Sequence, residues 1–575
     1  MTDAAAQVAA ARKALAQAEA ALADEKRAPE PPSEKARPLN PEQVATIKAG
    51  YLFDAPALEM GALVNGEPLA DVPVRIPIAM VNRHGLVAGA TGTGKTKTLQ
   101  VLAEQLSAAG VPVFAADIKG DLSGIASAGV SSDKLLERTE SIGQNWVPAA
   151  TPTEYYTLGG QGIGIPIRAT VSSFGPLLMS KVLGLNDTQE SSLGLVFHYA
   201  DRAGLPLVDL SDLRAVLQWL TSDEGKPELK ALGGLSGATA GVILRELIGF
   251  AAAGADVFFG EPEIDTALFL RTTPEGKGIV SLLEIPGVHD KPALFSTFLM
   301  WLLADLFNDL PEVGDIDKPK LVFFFDEAHL LFTGASKDFI ASITQTIRLI
   351  RSKGVGIFFV TQTPKDVPSD VLAQIGSRVQ HQLRAHTPDD AKALKATVST
   401  YPTSGYDLTE VLTTLATGEA IITVMNEKGA PSPVAWTRLR APQGSMAPTP
   451  AAEMQATVDA SPLHGTYATA VDRASAREIL AVKMNAAAEA DARLEAEKLA
   501  AARAKESATV QSDYDKAVRD MERSSKPRTS KTQTTTRTTT RTDDNNPVGD
   551  FLGSRGGQTV VREVLRGIFS TLKRK

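Results

Sequence analysis

The amino-acid sequence predicts an α/β fold built on a mainly parallel sheet. From about Val44 to Arg440, short β-branched or aromatic runs ending in Gly, Asp or Thr alternate with longer helical segments. Most of these runs are apolar along their whole length, as expected of strands covered on both faces. A glycine-rich turn, Gly89 to Thr96, separates one such run from an amphipathic helix.

Taken in order, the candidate strands are residues 85–88, 111–116, 278–285, 320–325, 354–361, 377–383 and 419–425. Between the second and third lies a long interval, 120–277. Parallel strands need only one crossover helix, yet residues 174–185, 190–204, 210–221 and 238–252 all read as helical. The interval therefore predicts a mainly helical insertion, centred on about 170–255, and insertions of this kind carry specificity. Residues 42–445 form the predicted core.

Both ends of the chain differ in composition. Residues 3–27 are rich in Ala, Glu, Lys and Gln and predict an exposed helix, followed by a Pro/Glu/Lys linker through Pro41. After a linker beginning at 446, residues 472–523 predict a long charged helix. Residues 524–550 are mostly Ser, Thr, Lys and Arg, with no acidic residue between Arg523 and Arg541, and predict a disordered basic linker. Within the last segment, 551–575, a basic amphipathic helix places Val560, Val561, Val564, Leu565, Ile568 and Leu572 on one side.

Composition removes several kinds of chemistry. The 575 residues include no cysteine, which excludes disulfides, thiolate metal centres and a cysteine nucleophile. A formal net charge of −8 argues against a surface that is basic throughout, though not against a local basic channel. The N-terminus lacks the basic and apolar blocks of a signal peptide. The longest apolar run, 292–304, falls short of the ~20 residues a bilayer requires. A soluble cytoplasmic protein is expected.

Gly89, Ala90, Thr91, Gly92, Thr93, Gly94, Lys95 and Thr96 match G-x-x-x-x-G-K-[ST] in the strand-to-helix context the motif requires. Its glycines let successive backbone N–H groups point into one concavity, which with the helix N-terminus holds phosphates. Lys95 then reaches the β/γ-phosphates and the Thr96 hydroxyl ligates Mg²⁺. ATP and Mg²⁺ are the expected ligands.

Downstream, the apolar strand 320–325 ends in Asp326-Glu327. Carboxylates at the C-terminal edge of a parallel strand face the ligand crevice. Asp326 is read as a Mg²⁺ ligand acting through water, and Glu327 as the group that orients the attacking water or accepts its proton. The next strand ends in Thr361-Gln362, where Gln362 either senses the γ-phosphate or caps the loop before Pro364. Arg348 and Arg351, at i and i+3, either deliver a guanidinium to a neighbouring subunit's nucleotide or form an exposed basic helix end. Arg83, Arg378 and Arg384 are further candidates, and His381 is read as structural. The string from Ala116 to Gly124 either contributes Asp117 to the outer shell of the metal, couples nucleotide state to the helical insertion, or is an ordinary polar loop.

With residues 82–96, the 117–124 string, 325–329, 348–354, Thr361-Gln362, 380–385 and Thr387-Pro388, the chain resembles the bacterial HerA-like NTPases of the HerA/FtsK class. The resemblance covers about residues 44–445. It implies a RecA-like ASCE P-loop core and a homo-oligomeric ring, often a hexamer. In better-known relatives it implies translocation along double-stranded DNA with a nuclease partner. It also implies nucleotide contacts from Arg351 and Arg83. HerA proper carries a substantial N-terminal β-barrel, whereas here only about 40 residues separate the Pro-rich linker from the glycine-rich loop. The function expected is an ATP-driven DNA motor; the competing expectation is an ATP-dependent switch or scaffold acting on a protein partner. The basic C-terminal end suits either phosphate backbones or another partner.

Overall fold

A computed structural model of the chain describes residues 39–524 apart from 232, 286–291, 315, 333–336 and 427. The N-terminal helix, the basic linker and the C-terminal amphipathic helix expected from sequence lie outside the described residues. Among those described, twelve strands form one sheet in the order β2-β1-β12-β11-β10-β3-β9-β8-β4-β7-β5-β6. They are β1 (Ala57–Asn65), β2 (Glu67–Pro77), β3 (Gly85–Ala88), β4 (Val113–Asp117), β5 (Thr153–Leu158), β6 (Ile165–Ile167), β7 (Val280–Glu284), β8 (Leu321–Phe325), β9 (Val355–Thr361), β10 (Ser377–Gln380), β11 (Glu419–Val424) and β12 (Ala435–Leu439). From β10 to β6 every pairing is parallel. From β10 to β2 every pairing is antiparallel.

The parallel centre has the expected composition. β3, β4, β8 and β9 are buried at every position, because helices cover both faces. Helix Pro292–Asp309 contains the apolar run noted above and packs inside the protein: Phe295, Phe298 and Leu302 are all fully buried. Phe298 packs edge-on against Phe258 and tilted against Phe114, at 5.8 and 6.1 Å between ring centroids. Each such ring contributes about 2–3 kcal/mol of apolar burial. Among the described residues, no helix is long and apolar enough to cross a membrane.

The structure adds five strands to the seven expected. β2 contains Pro68, Pro73 and Pro77, which argue against a strand, but it lies at the sheet edge, where missing N–H donors are tolerated. β6 is a three-residue Ile-Pro-Ile segment at the opposite edge. β5 is polar in sequence, Thr-Glu-Tyr-Tyr-Thr-Leu, and its tyrosines supply the buried surface. β1 and β12 form an antiparallel extension in which Gly61 lies against Arg438: a Cβ on Gly61 would come within 2.0 Å of the Arg438 carbonyl oxygen. The 120–277 interval thus contributes strands as well as the helices Val171–Val182, Asp187–Arg202, Leu210–Thr221 and Gly237–Ala252.

Two compact units divide the chain at Glu489 and Ala490. The first holds the sheet. The second comprises, among the described residues, the continuation of helix Ala476–Ser524, whose Leu494 and Leu499 are exposed.

Candidate functional site

Four adjacent parallel strands, β3, β9, β8 and β4, bring their C-terminal ends to one crevice. The glycine-rich loop leaves β3 there. It is pinned on both sides, by Gly89 N–H donating to the Thr361 carbonyl (3.1 Å) and Ala90 N–H to the Gln382 carbonyl (2.8 Å). Thr93 Oγ1 closes the turn by donating to the Ala90 carbonyl at 2.8 Å. Gly92 and Gly94 have φ of 82° and 110°, conformations that L side chains rarely adopt. Helix Lys95–Ala108 begins directly after Gly94, so its first N–H groups face the concavity. The Lys95 ammonium donates to the loop's own Gly89 and Ala90 carbonyls at 2.7 and 3.2 Å. Burial lowers its pKa, and the carboxylates of Glu327 and Asp326 oppose that shift.

Beneath the loop lies His381, fully buried. Its Nε2 is 2.9 Å from Thr98 Oγ1, and a Cβ on Gly89 would sit 2.4 Å from the His381 Cβ. Burial and the nearby Lys95 charge push its pKa down to about 3, so the ring stays neutral as a packing support. A second support comes from the start of β11. Gly418 N–H donates to the Thr93 carbonyl (3.0 Å), and Arg138 Nη2 donates to the Gly418 carbonyl at 2.7 Å. Neither Arg138 nor Gly418 stands out in the sequence.

Asp326 and Glu327 follow β8. Ala328 N–H donates to the Val360 carbonyl (2.8 Å), fixing the turn, and Glu327 N–H donates to Asp326 Oδ1 (2.9 Å). Glu327 takes φ 47°, which costs a non-glycine residue about 1 kcal/mol. Burial first, and then the neighbouring Glu327, raise Asp326 to about 6. Burial alone would raise Glu327 too, but the Lys119 ammonium outweighs it and holds this carboxyl below its ordinary value. Lys119 Nζ hydrogen-bonds Glu327 Oε1, while His329 Nδ1 approaches Oε2 at 3.3 Å. In the sequence Lys119 stands in a polar string in which nothing marks its partner.

The Asp117 carboxylate is engaged by its own loop, accepting from Gly120 N–H and Leu122 N–H at 2.8 Å each. Both oxygens thus brace the turn that follows β4. Its sheet neighbour Glu284 is raised to about 7 by burial and by the Asp117 charge.

Gln362 is exposed and lines a cavity of about 180 Å³ with Ala90, Thr91, Lys365 and Arg384. Arg384 therefore lies at the crevice edge. Arg378 instead donates to Thr400 Oγ1 at 2.8 Å.

The other arginines are elsewhere. Arg83 precedes β3, and its Nη1 lies 3.4 Å from the Met425 sulfur. Arg351 follows helix Lys337–Ile350, ahead of β9, and its charge helps keep the buried His84 at about 4 after burial itself. Both sit at the N-terminal edge of the parallel strands. At about 3.3 Å per residue, four-residue β3 alone puts Arg83 more than about 13 Å from the loop. Arg83 and Arg351 therefore lie away from this chain's own glycine-rich loop.

Residues 63–575 match the family model described as helicase HerA-like C-terminal. The chain belongs to this family. Within it, the crevice is that of a P-loop NTPase. A probable helicase of Methanocaldococcus jannaschii is 29% identical over 150 residues, which are 25% of this HerA-like chain and 28% of that relative. The match thus spans less than a third of the relative's length. Among solved structures, the bacterial conjugative coupling protein TrwB is 16% identical with a TM-score of 0.48, covering 74% of this chain and 97% of its own. TrwB has also been determined in complex with ADP and Mg²⁺. VirB4 of Thermoanaerobacter pseudethanolicus is 16% identical with a TM-score of 0.43, covering 68% and 98%.

Proposed function

We propose that this HerA-like NTPase hydrolyses ATP and uses the cycle to translocate or remodel double-stranded DNA as a ring of like subunits. The observation that carries the proposal is the convergence of Lys95, Asp326 and Glu327 at the carboxyl ends of neighbouring strands, where both carboxylates act on the Lys95 ammonium beside a loop whose Gly92 and Gly94 take positive φ. Three phosphates are the ligand such a cradle suits, with N–H groups of the loop and of the first helical turn to receive them.

The donors present fit Mg²⁺, which takes hard oxygen ligands. Thr96 and Asp326 are the groups that would hold it, and the bound ion would neutralise charge on the β- and γ-phosphoryl oxygens. Lys95 exchanges its loop carbonyls for phosphate oxygens. Glu327 accepts the proton of the attacking water or orients that water, and Gln362 stands at the cavity mouth where it can follow the γ-phosphate. Arg83 and Arg351 act in trans, from a neighbour packed head to tail.

Duplex DNA as the track is supported by the family's description as helicase-like. The competing reading, a switch or scaffold that binds a protein partner, is separated by one assay. Steady-state ATP turnover should rise at least about 5-fold on adding duplex DNA at low salt and lose the gain as salt releases phosphate contacts. A rate indifferent to duplex at every salt concentration would favour the switch.

A further inference from the structure

One oxygen of the group proposed as the base is engaged in this structure and the other is buried. Glu327 is 3% exposed. Its Oε1 is hydrogen-bonded by the Lys119 ammonium, while its Oε2 is buried, accepts no hydrogen bond among the described residues and lies 3.3 Å from His329 Nδ1. A carboxylate oxygen engaged by an ammonium cannot simultaneously take a proton from water at that lone pair. We propose that Lys119 is a positioning residue that latches Glu327 away from the attacking water, and that turnover requires the Lys119 ammonium to move from Glu327 onto an anionic phosphate oxygen entering the crevice.

Anchoring of the lysine's backbone confines the switch to its side chain. Asp117, two residues before Lys119, accepts hydrogen bonds from Gly120 and Leu122 after it, and Gly120 takes φ 74°. Ser123 Oγ donates to the Gly120 carbonyl at 2.7 Å. Behind the turn runs a strap, residues 441–449. Thr449 N–H donates to Ser123 Oγ (3.1 Å) and Thr449 Oγ1 to the Ser123 carbonyl (2.7 Å). The same strap grips the helix that follows the phosphate loop, with Gln443 and Gly444 N–H donating to the Glu104 carboxylate at 2.8 Å each. Turn, strap and helix therefore hold one another. Freedom remains in the four-carbon Lys119 stem, whose side chain is 41% exposed at the crevice. A flexible stem carrying a compact ammonium suits exchange between two oxyanions.

The latch rests on Glu327 acting in hydrolysis, and the test separates the two claims. ATP turnover without DNA would be measured for the full chain, Lys119→Ala, Lys119→Arg and Glu327→Gln, with KM and kcat resolved and folding checked by binding of a fluorescent ATP analogue. The latch predicts that Lys119→Ala raises DNA-independent kcat by roughly 10- to 100-fold, the factor released with one charge-assisted hydrogen bond. Lys119→Arg should restore the low rate. Unchanged or reduced kcat in Lys119→Ala, with Glu327→Gln inactive, would overturn the latch alone. Full activity in Glu327→Gln would overturn the reading beneath it.

Discussion

Glu327→Gln is expected to cut ATP turnover by about 100-fold or more while nucleotide binding persists. The amide keeps the shape of the side chain and so the turn that follows β8, held by the Ala328 N–H bond to Val360. It cannot take a proton. It also loses the charge that pairs with Lys119, so the crevice becomes more positive and affinity for a polyanion should hold or improve. Steady-state phosphate release alongside equilibrium binding of a fluorescent nucleotide measures both halves. Undiminished hydrolysis would remove Glu327 from the active site.

Lys95→Ala should act on the other half, binding. The wild-type ammonium sits within hydrogen-bond reach of the loop carbonyls at Gly89 and Ala90, poised over the concavity. Each charge-assisted hydrogen bond it transfers to phosphate contributes about 1.5–3 kcal/mol, so its removal should weaken ATP binding roughly 10- to 100-fold and abolish measurable turnover. The fold should be unaffected, because Lys95 opens its helix and packs no apolar core. Isothermal titration with ATP at several Mg²⁺ concentrations reads the loss. Wild-type affinity in this variant would show that the loop is a tight turn and not a phosphate cradle.

What could be read from the sequence follows from how local each feature is. A phosphate cradle needs consecutive residues, Gly89 to Thr96, in a fixed order between strand and helix, so it is visible in the chain itself. Asp326 and Glu327 are visible because an apolar strand announces where its end must lie. The parallel centre shows for the same reason, since strands buried on both faces are uniformly apolar. The antiparallel flank does not: β2 carries prolines that only an edge position tolerates, and that position is set by pairing with β1. Lys119 could not be matched to Glu327 because 208 residues separate them, and only the adjacency of β4 and β8 joins them. Arg138 and Gly418, 280 residues apart, support the loop through a backbone carbonyl, which leaves no side-chain pattern.

The arginines show how resemblance and structure divide the work. Resemblance puts Arg83 and Arg351 at a nucleotide, whereas the strand directions put both at the edge opposite this chain's own crevice. The two statements agree if subunits stack that edge against a neighbour's crevice, the ring geometry proposed above.

The central claim is that hydrolysis in the crevice drives movement on duplex DNA, and displacement of a labelled third strand annealed to a duplex tests it most directly. Purified wild-type protein should release the third strand with ATP and Mg²⁺, and Glu327→Gln should release none while still binding nucleotide. ATP hydrolysis by the wild type with no displacement from duplexes of any length would contradict the motor and leave an ATPase that acts on something other than DNA.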